Sequence, residues 1–376
     1  MAINLSPTSV SRKYFSASDT ITNFTRLFKL ILLVALVARS PFLFSQNTLD
    51  NLGLPATAPA AAAYSLRQLS TSYTGPAIQV RRSSDNATQN IGFNGAGDLD
   101  VAALTAFVGS ADGFVSVWYD QSGFGRNATQ ATSGQQPRIV LAGVVEFQNN
   151  KPTLVFSGGQ NLLSTLTAAQ ATTGGNITTT SAVFRNATQN SSLFSSGDGG
   201  GNRYNIHAPW GDGNTYFDIG NIGSGGRISG SVQWNSTYSI GSFQRNGSQG
   251  NVWRNSVNVI SANTFSTNVT STSGMWIGSF NGSSFFITGS VGEIIAFPSA
   301  LSTADRTILE CNQSSYYTIS FAAPQGIELV ASGTAAASAC NFVEEDVVWR
   351  LVDLVNNAAS GNNLIKIQGG NNWNGG

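Results

Sequence analysis

From residue 114 onward the chain is a succession of short apolar runs, each cut off by Gly, Asn or Ser. They fall at residues 138–141, 153–156, 181–184, 215–219, 238–240, 251–254, 275–277 and 293–297. Such runs are too short for helices and fit strands bounded by turns. Arg245-Asn-Gly-Ser248 and Phe280-Asn-Gly-Ser283 read as hairpin turns, because Asn-Gly accepts positive φ at both central positions. Many short strands with turn signals between them predict an all-β, two-sheet sandwich. Helices are expected only at its periphery. One is a short helix at residues 64–69. A second spans 98–107 on the spacing of Leu99, Ala102, Ala103 and Ala106, with Asp98 as its cap. A third starts at Ser302-Thr-Ala-Asp305 and runs to about Tyr316. Residues 77–81 alternate like a half-buried strand.

Charged residues make up 10% of the 376-residue chain and acids balance bases at 19 each, against about 25% charged in ordinary domains. Nothing in that balance attracts nucleic acid or an anionic membrane surface. Hydrophobic residues at 41% supply a core, so the polarity is not that of a disordered chain. A surface rich in Gly, Ser, Thr and Asn suits neutral sugar better than ionic ligands. His207 is the only histidine and Cys311 and Cys340 the only cysteines, which excludes a zinc cage. The two cysteines read either as buried thiols or as one disulfide. No run of alternating acids marks a calcium loop, and no cofactor is expected.

Arg26-Leu-Phe-Lys29 precedes the apolar run of residues 30–38, the pattern of a secretory signal and shorter than the roughly 20 residues of a membrane span. Residues 1–46 are therefore expected to be an export segment, with an uncleaved anchor as the alternative. Residues 47–63 read as a linker, 64–317 as the sandwich, and 318–376 as the start of a second β module, with strands at 319–321, 327–330 and 347–349. The expected location is secreted or cell-surface.

The segment Val117-Trp-Tyr-Asp-Gln-Ser-Gly-Phe-Gly-Arg-Asn127 resembles the start of the catalytic domain of α-L-arabinofuranosidase B, glycoside hydrolase family 54. The resemblance is best over residues 64–140. It echoes at Leu193-Phe-Ser-Ser-Gly-Asp198, Trp210-Gly-Asp-Gly213, Trp276-Ile-Gly278 and Gly292-Glu-Ile-Ile-Ala-Phe-Pro298. The last pattern is also similar to the closing strand of laminin-G-like and legume-lectin-like jelly rolls. Both comparisons imply a concanavalin-A-like jelly-roll β-sandwich, and the first implies an arabinose-containing glycan as partner.

The resemblance also implies two carboxylates, a nucleophile and a general acid, which retaining glycosidases hold about 5–5.5 Å apart. Residues 199–211 contain neither Asp nor Glu, and Tyr204 or Asn205 stands where the family's nucleophilic Glu is expected. The turn Ser279-Phe-Asn-Gly282 lacks the family's acidic Asp, and Ser192-Leu193 replaces its adjacent cysteines. Three readings follow. The first is a non-catalytic glycan-binding or adhesion module using His207, Trp210, Asp212 and Tyr216, because aromatic rings stack on sugar faces and polar groups fix hydroxyls. The second is an active α-L-arabinofuranosidase with the displaced acids Asp198, Asp212 and Asp218. The third is a structural spacer, in which Trp210 and Tyr216 are ordinary core or rim and Asp120 only bonds its own turn.

Overall fold

The computed structural model describes residues 48–52, 54, 59–235 and 237–320. Its strands begin with β1 (Ala62–Ser65), β2 (Ile78–Arg82), β3 (Thr88–Ile91), β4 (Gly113–Trp118), β5 (Ala128–Thr129), β6 (Arg138–Leu141), β7 (Val144–Val145), β8 (Phe147–Gln148), β9 (Lys151–Pro152), β10 (Leu154–Ser157) and β11 (Leu162–Thr167). They continue with β12 (Ile177–Asn186), β13 (Phe194–Ser195), β14 (Arg203–His207), β15 (Asn214–Gly220), β16 (Arg227–Ser231), β17 (Ser239–Asn246), β18 (Gln249–Arg254), β19 (Val257–Asn263), β20 (Gly274–Ile277) and β21 (Thr288–Phe297). Nineteen of them form one antiparallel sheet, and β8 with β9 forms a separate ribbon.

The sheet doubles over on itself. One half runs β21–β12–β17–β18–β19. The other runs β4–β5–β11–β20–β13–β14–β15–β16. β10 and β6 join them, linking β21 to β4. The halves meet through Tyr204 of β14, whose hydroxyl lies 2.7 Å from that of Thr180 on β12, and through Phe217 of β15 against Phe243 of β17 at 5.8 Å. This is the jelly-roll-like β-sandwich expected.

β12 shows how so polar a chain builds a core. Its sequence Ile-Thr-Thr-Thr-Ser-Ala-Val-Phe-Arg-Asn is almost wholly buried. The β-branched residues suit a strand, and each buried hydroxyl has an acceptor or donor: Thr178 donates to the Ala171 carbonyl, Thr179 to Ser299, and Ser181 to the Gln313 side chain. β21 approaches so closely that a Cβ at Gly289 would lie 2.0 Å from the Arg185 carbonyl oxygen.

Four local expectations are corrected. Residues 64–69 form no helix: β1 runs through Tyr64 and Ser65 and pairs with residues 293–296 of β21. Both its faces are buried, so it lacks the alternation that marks a strand. It also starts inside the expected linker, whose Ala60 to Ala63 are buried and whose Thr48–Asn51 is a 3-10 turn. The helix α1 (Val101–Val108) is capped by Asp100, which accepts from the Ala103 amide, while Asp98 pairs with Lys151 at 3.3 Å. Of the two Asn-Gly turns, only the one at 246–247 joins a hairpin, β17 to β18; β20 and β21 do not pair, and at both sites only the glycine takes positive φ.

The second helix, α2 (Thr303–Tyr317), is capped by Ser302 as expected, at 3.0 Å from the Asp305 amide. Cys311 on it is disulfide-bonded. Beyond α2, Ile319 and Ser320 are not strand; Ile319 packs against Val183, Tyr238 and Tyr317. The export segment, Cys340 and the later strands of the expected second module lie outside the described residues.

Candidate functional site

β14 alternates. Tyr204 and Ile206 enter the core, so Arg203, Asn205 and His207 share the opposite face. The register then sets Asp218 beside Asn205 and Tyr216 beside His207 on β15, and Arg227 beside Asp218 on β16. On the other side Ser195 of β13 lies beside Asn205, and Trp276 of β20 beside Ser195. One row therefore reads Trp276, Ser195, Asn205, Asp218, Arg227.

Asp218 is fully buried and its carboxylate accepts from both arginines, at 2.6 Å from Arg203 Nη2 and 2.6 Å from Arg227 Nε. The Arg227 guanidinium also lies 4.3 Å from the Tyr216 ring centre. Asn205 is fully buried too, and neither its amide nitrogen nor its carbonyl oxygen has a hydrogen-bond partner among the described residues.

His207 caps this row with an aromatic cluster. Its ring centre lies 4.6 Å from Trp210, 6.1 Å from Phe285 and 6.4 Å from Phe280, and Trp210 meets Phe285 edge-on at 4.8 Å. Nδ1 sits 2.9 Å from the Ser191 carbonyl oxygen, which only accepts, so Nδ1 carries the proton and Nε2 is left an acceptor. Burial is the main cause that pushes the imidazole down to about 4, so it is neutral at pH 7. Phe285 holds a left-handed backbone, φ 51°, which is rare for a bulky residue. Its carbonyl accepts from the Ser192 amide at 2.8 Å.

The exposed turn after Trp210 carries Asp212, which accepts from the Tyr216 hydroxyl at 2.5 Å and the Asn214 amide at 2.9 Å. The Tyr216 bond, first, and the Asn214 bond hold its carboxyl below the usual carboxylate range. Thus His207, Trp210, Asp212 and Tyr216 come together, and the buried Asp218 lies on the same face of the sheet. Asp198 does not join them: its carboxylate is taken by the hydroxyls of Ser271 and Ser273. The Asp120 turn is a staple, its carboxylate accepting from the amides of Ala63, Ser122 and Arg126.

Chemically, the surface offers stacking rings, a neutral imidazole acceptor and an exposed carboxylate. A general acid needs a proton near pH 7; Asp212 is held ionised, and Asp218 is bracketed by two cations. Among the described residues no group of three or more His, Cys, Asp or Glu is placed to hold a metal, and no helix is long and apolar enough to cross a membrane. Phe280 and Phe285 escaped the sequence reading. The first was read only as part of a turn, and neither sits in a run whose period marks it.

Residues 53–227 match the family model described as alpha-L-arabinofuranosidase B, catalytic. A probable alpha-L-arabinofuranosidase B of Aspergillus clavatus is 45% identical over 78 residues, 20% of this chain and 15% of that protein. The alpha-L-arabinofuranosidase B of Penicillium canescens is 38% identical over 102 residues, 27% of this chain and 22% of its own. The aligned part is thus less than a quarter of either relative. Among solved structures, a family 54 α-L-arabinofuranosidase soaked with a cyclic sulfate inhibitor superposes with TM-score 0.54 at 18% identity, covering 68% of this chain and 62% of that one. An arabinofuranosidase complexed with arabinofuranosyl-alpha-1,2-xylobiose does so with TM-score 0.51 at 20% identity and the same coverage. The sandwich is therefore shared with these enzymes, and the chain carries an arabinofuranosidase B-like domain.

Proposed function

We propose that this domain binds arabinose-containing glycan on the β13–β16 face, as the recognition module of an exported or cell-surface protein. The observation that carries this reading is the convergence of Trp210, His207, Tyr216 and Asp212 on one partly exposed surface. Rings stack on the apolar face of a sugar, and a carboxylate with free lone pairs accepts from its hydroxyls. The match over residues 53–227 supports arabinose as the sugar class. The basic-then-apolar segment at residues 26–38 supports export, and residues 318–376 would begin a further module. No cofactor enters this reading.

The second reading is hydrolysis, and the comparisons weigh toward it more than toward binding alone, because the relatives they name are arabinofuranosidases. Against it stands the bonding of the three aspartates. Asp198 is held by two serines, Asp212 by Tyr216 and Asn214, and Asp218 by two arginines. Each of these carboxylates is already engaged by neighbours of its own, whereas hydrolysis needs one to meet the leaving oxygen.

Calorimetric titration with arabinofuranosyl-α-1,2-xylobiose tests binding. Saturable heat from the wild-type chain, weakened at least tenfold in Trp210→Ala, is expected. Incubation with 4-nitrophenyl α-L-arabinofuranoside separates the readings. Release of nitrophenol by the wild-type chain, lost in Asp212→Asn or Asp218→Asn, would establish the hydrolase and displace the binding-only reading.

A further inference from the structure

The chain carries the tripeptide Asn-Gly-Ser twice, at residues 246–248 and 281–283. An asparagine followed by glycine is able to modify itself. The glycine nitrogen has no Cβ beside it to hinder its approach to the asparagine side-chain carbon, and attack within one small ring needs no encounter of separate molecules. In sequence the two sites are equivalent. The fold makes them different.

At Asn246 the backbone is fixed in two ladders, opposite Ile177 of β12 and Gln249 of β18. The Gly247 amide donates to the Asn176 carbonyl oxygen at 3.0 Å, and no described residue donates to the Asn246 side chain. Asn281 lies in the loop between β20 and β21, outside any ladder. Its Oδ1 accepts from the Ser283 amide at 3.2 Å, the Ser283 hydroxyl at 2.9 Å and the Ser284 hydroxyl at 2.9 Å. Three donors on one carbonyl oxygen stand where negative charge develops when its carbon is attacked. The Gly282 amide donates to Ser279 Oγ at 3.0 Å, a hydroxyl that accepts a proton on one side and donates on the other. Asn281 is exposed, so water reaches it.

We infer that Asn281 is a site of self-modification to aspartate, which the fold withholds from Asn246. The Gly282 nitrogen bonds to Asn281 Cγ, the Cγ–Nδ2 bond breaks, and ammonia leaves with the proton given up by the glycine nitrogen. Water then opens the resulting imide at either of its carbonyls, giving aspartate or its isomer in which the chain runs through the side-chain carboxyl. Nothing is oxidised or reduced. The product places a carboxylate within residues 219–292, which contain neither Asp nor Glu, and lowers by one a formal net charge that is zero at pH 7.

The test keeps the full chain in mildly alkaline buffer and digests samples with trypsin over time. Cleavage after Arg245, Arg254 and Arg306 puts the two sites in separate peptides, 246–254 and 255–306, and fragmentation assigns the amide-to-acid mass gain to its residue. In the folded chain the gain is expected severalfold sooner at Asn281 than at Asn246, with a more anionic species growing in step on ion exchange. In chain held unfolded by guanidinium chloride the two identical tripeptides are expected to convert at similar rates. Asn281 staying intact, or Asn246 converting as fast in the folded chain, overturns the inference. So does an equal preference for Asn281 in the unfolded chain, which would place the cause in the sequence and not in the fold. Ser284→Ala removes one donor from Oδ1 and is expected to slow conversion at Asn281. An unchanged rate there overturns the inference as well, because the donors would then contribute nothing.

Discussion

Two buried polar centres of this sandwich are built from similar residues and finished differently. Around Glu293, on the half that carries α2, the acid is paired on every side. Its carboxylate accepts from the Ser65 hydroxyl, two nitrogens of Arg67, the Gln313 amide and the Tyr317 hydroxyl. Around Asp218, on the opposite half, the acid is equally well paired, yet Asn205 beside it has nothing. Arg67 is 1% exposed, whereas Arg203 and Arg227 are 12% and 28% exposed. A closed network fixes packing. An open one, half-reached by solvent, leaves the Asn205 amide short of partners.

The contrast is broken most easily at the closed centre. Glu293→Ala strands the Arg67 charge in the interior, and a loss of about 3–5 kcal/mol is expected in urea unfolding; a loss below about 1 kcal/mol would mean that the centre is not the structural one. Next in size is the pH response of the open side. His207 has its pKa depressed to about 4, from about 6.5 when unfolded. Between those values the unfolded chain holds a proton that the folded chain refuses, so stability falls as pH drops from about 6.5 to about 4 and this loss is complete below that. The contribution is at most about 3 kcal/mol. Since His207 is the only histidine, unfolding midpoints of His207→Gln should lose this slope, and an unchanged profile would place the protonation elsewhere. Asp218→Ala should cost about 2 kcal/mol, less than Glu293→Ala, because its arginines reach water; equal losses would erase the distinction. Ser302→Ala, far from both centres, removes the α2 cap for about 1 kcal/mol and should leave probe affinity untouched.

Much of the fold was legible. Alternation and turn residues located β6, β10, β15, β18 and β20 to within a residue or two where one face is exposed or the run is strongly apolar, and the last half of β21. β1 was misread because it is buried on both faces, so its pattern carries no period. Asp98 was read as the cap because it directly precedes Leu99, the first residue of the apolar spacing; in the fold it pairs with Lys151 and Asp100 caps the helix. At the site, His207, Trp210, Asp212 and Tyr216 were found together because they are close in sequence. Phe280 and Phe285 arrive from about 70 residues away, through the β13–β20 pairing, and only the fold brings them in. The empty amide of Asn205 is a statement about what its neighbours bond instead, which no local sequence pattern encodes.

β21 has a bearing on how the chain is made. Residues 62–65, 154–157 and 177–186 all wait for the same ten-residue strand, 288–297. During synthesis from the N-terminus these segments emerge long before the strand that unites them, so the sandwich cannot close until its final ribbon is delivered. Contacts so distant in sequence assemble slowly. A nascent chain of this design keeps the sandwich open until residue 297 has emerged.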